Sequence, residues 1–269
     1  MASQARLEML RAQIAILEAP RGKNQGRLSF GDPGLDQALG GGLALGCWHE
    51  VLGEKMEAET GALATAFVAA LSIPLSTWGP VVWILRRRDL YAPGLASLGF
   101  PSERLIQVHV RQEHEALGVL EEVLSSPGVA AAIAEAGPLD LVSGRRLHLA
   151  CATSGATGFL IRRQPFGQAG GRPLSEGSPR ASTRWRLTPA PSAPRAERRG
   201  QIVSGLGPLR WRAALERVQG GRPGAWLLEH SDGPFPIRVV AKLADCGEPA
   251  GATPLADGGH DVPIWRVGG

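Results

Sequence analysis

The sequence predicts an α/β fold, with a mostly parallel sheet that is flanked by helices and extended by antiparallel strands on its C-terminal side. Between about residues 46 and 163, short apolar segments alternate with helical segments, as expected for parallel strands covered on both faces. Beyond residue 183, four apolar or alternating segments follow without a helical period, which favours antiparallel pairing. With 269 residues and 43% hydrophobic content, the chain can bury a core of this size.

Composition favours a cytoplasmic protein. No apolar segment approaches the roughly 20 residues that span a bilayer, and the N-terminus lacks the apolar core of a signal peptide. The three cysteines, Cys47, Cys151 and Cys246, are far apart and follow no metal-ligand spacing. We therefore expect a reducing compartment, no metal, no cofactor and no membrane association.

Arginine dominates the basic residues, since only Lys23, Lys55 and Lys242 are lysines among 29. Arginine suits bidentate contacts to phosphate, but G+C-rich codons also favour arginine together with alanine, glycine and proline. A net charge of +4 does not by itself identify a nucleic-acid-binding protein.

Residues 1–20 are predicted to form an amphipathic helix outside the core. Pro20 and Gly22 end it, and a polar linker joins it to the core. The helix either folds back on its own domain or docks on a partner. Its apolar face carries the four candidate partner-binding residues, Leu7, Leu10, Ile14 and Leu17.

The core is predicted over residues 27–245, followed by a flexible tail at 246–269. Gly, Pro, Ser and Arg enrichment predicts mobile loops at 164–181 and 189–207. The main predicted helices are 61–72, 113–125 and 141–154, with short helices within 30–43 and after the loop 86–95. The predicted strands are 81–85, 105–110, 129–134, 157–163, 183–187, 209–213, 225–229 and 237–241.

The stretch from Gly46 to Thr60, followed by the 61–72 helix, has the strand–loop–helix order of a phosphate-binding loop, G-x-x-x-x-G-K-[ST]. In the register that starts at Gly53, the second glycine falls on Ala58, the lysine on Glu59 and the hydroxyl residue on Thr60. An anion thus stands where a cation should neutralise phosphate, and Glu54 and Glu57 add negative charge. The sequence predicts a degenerate loop that has kept its turn geometry.

Two resemblances are carried by motifs. Leu35-Asp36, Ala38-Leu39-Gly40-Gly41-Gly42-Leu43 and Glu50-Val51-Leu52-Gly53 resemble the RecA recombinase core, over about residues 30–163, which implies a RecA-like sheet. Nearly the whole chain resembles the ImuA family, RecA-like and sometimes labelled SulA-like. The residues of this second likeness are His49-Glu50-Val51, Leu90-Tyr91-Ala92-Pro93-Gly94-Leu95, Arg145-Arg146-Leu147-His148-Leu149-Ala150, Thr183-Arg184-Trp185-Arg186 and Gly220-Gly221-Arg222-Pro223-Gly224-Ala225-Trp226.

The resemblance to the ImuA family implies an accessory protein of the bacterial mutagenesis cassette, acting in SOS-induced, error-prone translesion DNA synthesis. It implies an adaptor working beside RecA, beside ImuB (a catalytically inactive relative of Y-family polymerases) and, indirectly, beside an error-prone C-family polymerase. The alternative is a DNA-dependent ATPase or recombinase homologue with residual nucleotide binding.

Comparison with the RecA pattern implies that the chain is not an enzyme. RecA-type hydrolysis needs a phosphate loop, a metal-binding acid, a carboxylate that activates water and a polar switch residue. Glu135 matches the metal-binding position. Arg162 and Arg163 stand where RecA has its switch residues, and the strand at 81–85 is followed by arginines before Asp89.

Arginines flanking the first mobile loop are the candidate nucleic-acid contacts: Arg162, Arg163, Arg184 and Arg186. Trp185 and Trp211 stand among arginines and have two open interpretations. Either they stack on bases, or they pack on the sheet while the alternating arginines face water.

Overall fold

The computed structural model describes residues 26–53, 57–137, 139–162, 180–192, 195–196, 202–203, 207–233 and 235–243. Five α-helices are described: α1 Pro33–Ala38, α2 Glu57–Ser76, α3 Ala92–Ser97, α4 Glu113–Ser125 and α5 Leu141–Ser154. The strands are β1 Arg27–Leu28, β2 Leu43–Ala44, β3 Trp48–Gly53, β4 Val81–Leu85, β5 Leu105–His109, β6 Ala131–Ala136, β7 Thr157–Arg162, β8 Thr183–Ala190, β9 Arg195–Ala196, β10 Ile202–Val203, β11 Arg210–Val218, β12 Gly224–His230 and β13 Ile237–Leu243.

The main sheet has nine strands in the order β13-β12-β11-β8-β3-β7-β6-β4-β5. The six strands from β8 to β5 are mutually parallel. Strands β11, β12 and β13 extend it by antiparallel pairing. The fold class predicted from the sequence is therefore confirmed.

Helices cover both faces of the parallel part. On one face, which we call the α2 face, the long helix α2 packs with α1 and α3 against side chains such as Trp83, Phe159 and Trp185. On the other, the α4/α5 face, α4 and α5 pack against Trp48, Ile84 and neighbouring small residues. Central strands such as β4, Val-Val-Trp-Ile-Leu, are apolar throughout because both of their faces are buried.

The observed elements refine the predicted bounds. Helix α2 begins four residues before the predicted Gly61 and ends at Ser76, with Pro74 inside its last turn. Helices α4 and α5 have their predicted bounds. In the predicted loop 189–207, Pro189 and Ala190 continue β8, and β9 pairs with β10. The helix predicted at 1–20 and the tail predicted at 246–269 lie outside the described residues, as do residues 164–179 of the first predicted loop.

Close backbone contacts hold the end of α1 against the turn between β11 and β12. Gly220 and Gly221 form the β11–β12 turn, which lies against the end of α1, and the Arg222 amide donates to the Ala38 carbonyl at 2.7 Å. A Cβ on Gly221 would come within 2.1 Å of that carbonyl oxygen. Position 221 therefore requires glycine, because a side chain there would collide with the end of α1.

Among the described helices, none has the length and apolar character needed to cross a membrane. The described residues also contain no group of three His, Cys, Asp or Glu side chains arranged to hold a metal ion.

Candidate functional site at the carboxyl edge of the sheet

The two elements that flank the predicted phosphate loop meet at the carboxyl edge of the parallel strands, where α/β folds bind ligands. Strand β3 ends at Gly53, which is buried, and α2 begins at Glu57. Ala58, Glu59 and Thr60 therefore lie in the first turn of α2. A strand followed after three residues by a helix agrees with the element order of a phosphate loop, while the residue in the lysine position is a glutamate.

The RecA-type acid and switch positions lie on opposite faces of the sheet. Glu135, near the end of β6, alternates with Ala134 and Ala136 of the α4/α5 face and so lies on the α2 face, where it is 4% exposed. Arg162, the last residue of β7, follows Ile161 of the α2 face and therefore lies on the α4/α5 face. Its guanidinium is thus directed away from the side of the sheet where α2 begins.

Arg162 belongs to a buried ion-pair cluster centred on Glu50 of β3. Its Nη1 lies 2.5 Å from Glu50 Oε1, and Arg184 Nε of β8 donates to Glu50 Oε2 at 2.9 Å. Glu50 is fully buried, and the side chains of Arg162 and Arg184 are 3% and 10% exposed. Strand pairing sets this geometry, since β3 lies between β7 and β8 and Glu50 is directly opposite Arg184.

A β-bulge continues the cluster onto β11. The pairing of β8 with β11 shifts between Leu215 and Arg217, which leaves Glu216 as the extra residue. Glu216 pairs with Nε of Arg186 and lies 3.9 Å from Nη1 of Arg184. The result is a chain of alternating charges across four strands: Arg162, Glu50, Arg184, Glu216 and Arg186.

Charge compensation explains why these residues tolerate burial. A carboxylate taken out of water without a partner is strongly destabilising, and two guanidinium groups that each donate to it offset that cost. Glu50 would carry this penalty alone in the apolar strand β3. Arg162 and Arg184 therefore satisfy a carboxylate of their own chain.

This geometry corrects part of the nucleic-acid hypothesis. Arg162 and Arg184 are enclosed and ion-paired to Glu50, so they are not surface groups for phosphate in this arrangement. Arg186 is half-buried and bound to Glu216. Arg163 lies outside the described residues. Burial also answers the open question about Trp185 and Trp211: both are fully buried and pack on the α2 face, around Phe67.

A second ion-pair cluster lies on the antiparallel extension. Glu229 of β12 accepts from Arg210 Nε at 2.6 Å and pairs with Arg238 of β13. Burial raises the pKa of Glu229, but hydrogen bonds from Arg238 and Arg210 outweigh this and hold its pKa below the usual range. Both clusters use glutamates to bind arginines of neighbouring strands.

His49 has a structural role. It is fully buried, its Nδ1 lies 2.8 Å from Thr183 Oγ1 and its Nε2 lies 2.9 Å from the Ala44 carbonyl oxygen. A carbonyl can only accept, so Nε2 carries the proton and Nδ1 accepts from the threonine hydroxyl. Burial lowers the pKa of His49 to about 4, which keeps the imidazole neutral.

An open cavity of about 300 Å³ lies between α2 and the segment that joins β4 to α3. Ala62, Thr65 and Ala66 of α2 form one wall, and the segment between β4 and α3 forms the other, including Asp89 and the 71% exposed Tyr91. The same segment carries three exposed arginines, Arg86, Arg87 and Arg88. In the sequence comparison they follow the strand that leads to the catalytic carboxylate in RecA.

Two curated relatives from Caulobacter vibrioides, strains NA1000 / CB15N and ATCC 19089 / CIP 103742 / CB 15, are both named Protein ImuA. Each is 51% identical over 225 residues, which covers 81% of this chain and 90% of the relative. The chain belongs to the ImuA family. No protein-family profile matches it.

A solved structure shows the fold of this ImuA-family chain independently. The crystal structure of the RadB recombinase superposes with a TM-score of 0.51, covering 78% of this chain and 98% of the RadB chain at 16% identity. At that identity the likeness concerns the fold alone, and it confirms the RecA-like architecture.

Sequence reasoning identified the arginines of the buried cluster in this ImuA-family chain but not their partner. Glu50 was visible as a carboxylate inside an apolar strand, and such a residue requires a buried cation. Alternation along β11 places Glu216 on the same face as Arg212 and Ala214, but the sequence did not show which strand would bring an arginine next to it.

Proposed function

We propose that this ImuA-family chain is a non-catalytic, RecA-like accessory protein of SOS-induced, error-prone translesion DNA synthesis. It acts as an adaptor that binds RecA and ImuB and, through ImuB, supports recruitment of an error-prone polymerase in the cytoplasm. Membership of the ImuA family and the RecA-like fold support this proposal.

The observation that carries the non-catalytic part is the placement of Arg162. A γ-phosphate sensor has to extend toward the nucleotide beyond the carboxyl edge. Arg162 instead is bound to Glu50 on the face opposite α2. Releasing it would leave a buried carboxylate with one cation fewer, a cost of several kcal/mol.

The charge in the first turn of α2 supports the same conclusion. A triphosphate there would meet Glu59 in place of lysine, with Glu54 and Glu57 close by in sequence. Two like charges about 4 Å apart repel by about 4 kcal/mol at an effective dielectric of about 20. Nucleotide binding is therefore not the use we assign to this edge.

Nucleotide binding is the direct test. Titration of the full-length protein with Mg·ATP is expected to show no saturable binding in the micromolar range, and no hydrolysis with or without single-stranded DNA. Thr60→Val serves as the matched control at the hydroxyl position. Saturable micromolar binding that Thr60→Val abolishes would overturn the non-catalytic assignment.

Partner binding is assigned to the N-terminal segment and its four apolar residues Leu7, Leu10, Ile14 and Leu17. Leu10→Asp with Ile14→Asp is expected to abolish capture of RecA or ImuB, because two charges then replace apolar residues on one face of the predicted helix. Ala5→Asp with Ala12→Asp adds the same charges on the opposite helical face and should leave capture intact. Equal capture by both variants and by a chain lacking residues 1–20 would count against this segment.

A second candidate is a DNA-dependent ATPase with residual nucleotide binding. It is favoured by Glu135, which lies at the end of β6 on the α2 face as a metal-binding acid would, and by the strand–helix junction at Gly53 and Glu57. DNA-stimulated phosphate release that Glu135→Gln abolishes would select this candidate over the adaptor.

A further inference from the structure

The antiparallel extension leaves its α4/α5 face uncovered by any described helix. A trough of about 670 Å³ crosses this face. Its floor is one row of residues in register across four strands: Arg186 on β8, Ala214 on β11, Ala225 on β12 and Leu243 on β13. The short side chains of the two alanines form the bottom of the trough, with Arg186 at one end and Leu243, the last residue of β13, at the other.

The neighbouring row adds a second arginine. Thr188, Arg212, Leu227 and Ala241 are in register on the same four strands and the same face. Arg212 is exposed, and no hydrogen bond or ion pair links it to another residue in the described part of the chain. Glu216 at the rim pairs with Arg186, so the trough has an excess of positive charge. Apart from Thr188, its other lining residues are apolar and mostly small.

The segment that follows Leu243 is complementary to this trough. Residues 244–269 contain Asp245, Glu248, Asp257 and Asp261, and their only arginine or lysine is Arg266. Leu243 itself lines the trough. The acidic segment therefore follows directly after a residue of the trough, and its negative charge is complementary to the trough's arginines.

Chain length permits the contact. A fully extended chain from Leu243 reaches about 7 Å at Asp245 and about 17 Å at Glu248. Neighbouring strands lie about 4.8 Å apart, so β11 is about 10 Å and β8 about 14 Å from β13. Asp245 can approach Arg212, and Glu248 can reach Arg186 by crossing Ala225 and Ala214.

We propose that the acidic segment 244–269 of the same chain occupies the trough, crossing the sheet from Leu243 toward Arg186 and pairing its first carboxylates with Arg212 and Arg186. The absence of an exposed aromatic residue among the trough-lining side chains favours an acidic peptide over stacked bases. The inference is independent of the adaptor function.

Cys246 allows a direct test in the full-length protein. Ala214→Cys would place a thiol about 10 Å from Leu243, the distance that three extended residues cover. Disulfide formation requires a Cα–Cα separation of about 4.4–6.8 Å. Under mild oxidation, the Ala214→Cys protein is expected to form an intramolecular disulfide with Cys246 about tenfold faster than Gln219→Cys, an exposed control at the β11–β12 turn.

Charge dependence separates a specific contact from chance encounters of a tethered thiol. Adding Arg212→Glu, or raising the salt to about 0.5 M, should remove most of the rate advantage because the attraction is screened or reversed. Arg222→Glu makes the same change at an exposed arginine outside the trough and should preserve it. Equal rates for Ala214→Cys and Gln219→Cys, indifference to Arg212→Glu, or a disulfide-linked dimer as the main product would each overturn the proposal.

Hydrogen exchange gives a second measurement without any added cysteine. Amides of residues 244–250 in the unaltered protein are expected to exchange more slowly than in Arg212→Glu, while Arg222→Glu matches the unaltered protein. Identical exchange in all three proteins would overturn the proposal even if the Ala214→Cys variant failed to fold.

Discussion

Glu50 and Arg162 form an ion pair between neighbouring parallel strands, with 2.5 Å between Oε1 and Nη1 and with both side chains almost completely buried. Arg184 completes the pairing from the other side of Glu50. The carboxyl edge of this RecA-like sheet is thereby held by an internal network that uses two of the arginines nearest to it.

Neutralising Glu50 should be strongly destabilising. Glu50→Gln leaves two buried guanidinium groups without their carboxylate, and breaking such a buried pair costs about 3–5 kcal/mol. Urea denaturation at neutral pH measures the loss. Glu216→Gln is the matched control, because its more exposed pairs should contribute about 1 kcal/mol or less. Equal small losses for both variants would contradict the role assigned to Glu50.

Removing the whole cluster should be less harmful than removing its centre. The triple change Arg162→Met, Glu50→Leu and Arg184→Met replaces three charges by apolar groups of similar length, which is often neutral or stabilising for buried ion pairs. Its free energy of unfolding is expected to exceed that of Glu50→Gln. A triple variant less stable than the single one would show that the charges have a favourable net contribution.

Gly221 should not tolerate a side chain. Gly221→Ala places a Cβ 2.1 Å from the Ala38 carbonyl oxygen, so the β11–β12 turn must move away from α1. We expect a loss of about 2 kcal/mol or more in thermal or urea unfolding. Gly118→Ala in α4 meets no atom within 4 Å and should stabilise the helix by about 0.5–1 kcal/mol. A neutral Gly221→Ala would refute the close contact.

The burial of His49 predicts a stability loss in mild acid. Its pKa is lowered from 6.5 to about 4 by burial, so the unfolded chain takes up a proton that the folded protein excludes between these values. The free energy of unfolding should therefore fall as the pH drops from about 6.5 to about 4, by about 3 kcal/mol. His49→Gln should reduce this part of the pH dependence, and His148→Gln controls for the loss of a histidine. Parallel pH curves for wild type and His49→Gln would exclude the effect.

Cys47 and Cys151 should resist alkylation in the folded protein. Both are buried, and burial raises the pKa of each thiol above its usual range, so little reactive thiolate is present at neutral pH. Mass spectrometry after brief iodoacetamide treatment should find both unmodified, and modified once urea is added. Rapid modification of either residue without denaturant would show that its surroundings open readily.

The periodicity of the sequence was sufficient for the fold class. Continuous apolar runs such as Val81–Leu85 predict strands buried on both faces, and the helical spacing in 113–125 and 141–154 yields α4 and α5 with their observed bounds. These patterns are local, because each reports which faces of one element are apolar. The predicted start of α2 was four residues too late, because Glu57 and Glu59 interrupt the apolar pattern from which the helix was predicted.

The motif register and the resemblance to the RecA pattern also identified the residues at issue, a glutamate in the lysine position of the loop and arginines on β7 and β8. Only the tertiary structure decided what those arginines do. Strand order brings Glu50 between Arg162 and Arg184, although Glu50 is more than a hundred positions from either arginine in sequence. The pairing of β8 with β11 likewise brings Glu216 next to Arg186. From the sequence alone, a charged residue in a strand is predicted to face solvent. Whether it can be buried depends on a partner from another part of the chain, because that partner offsets the free energy lost when the charge leaves water.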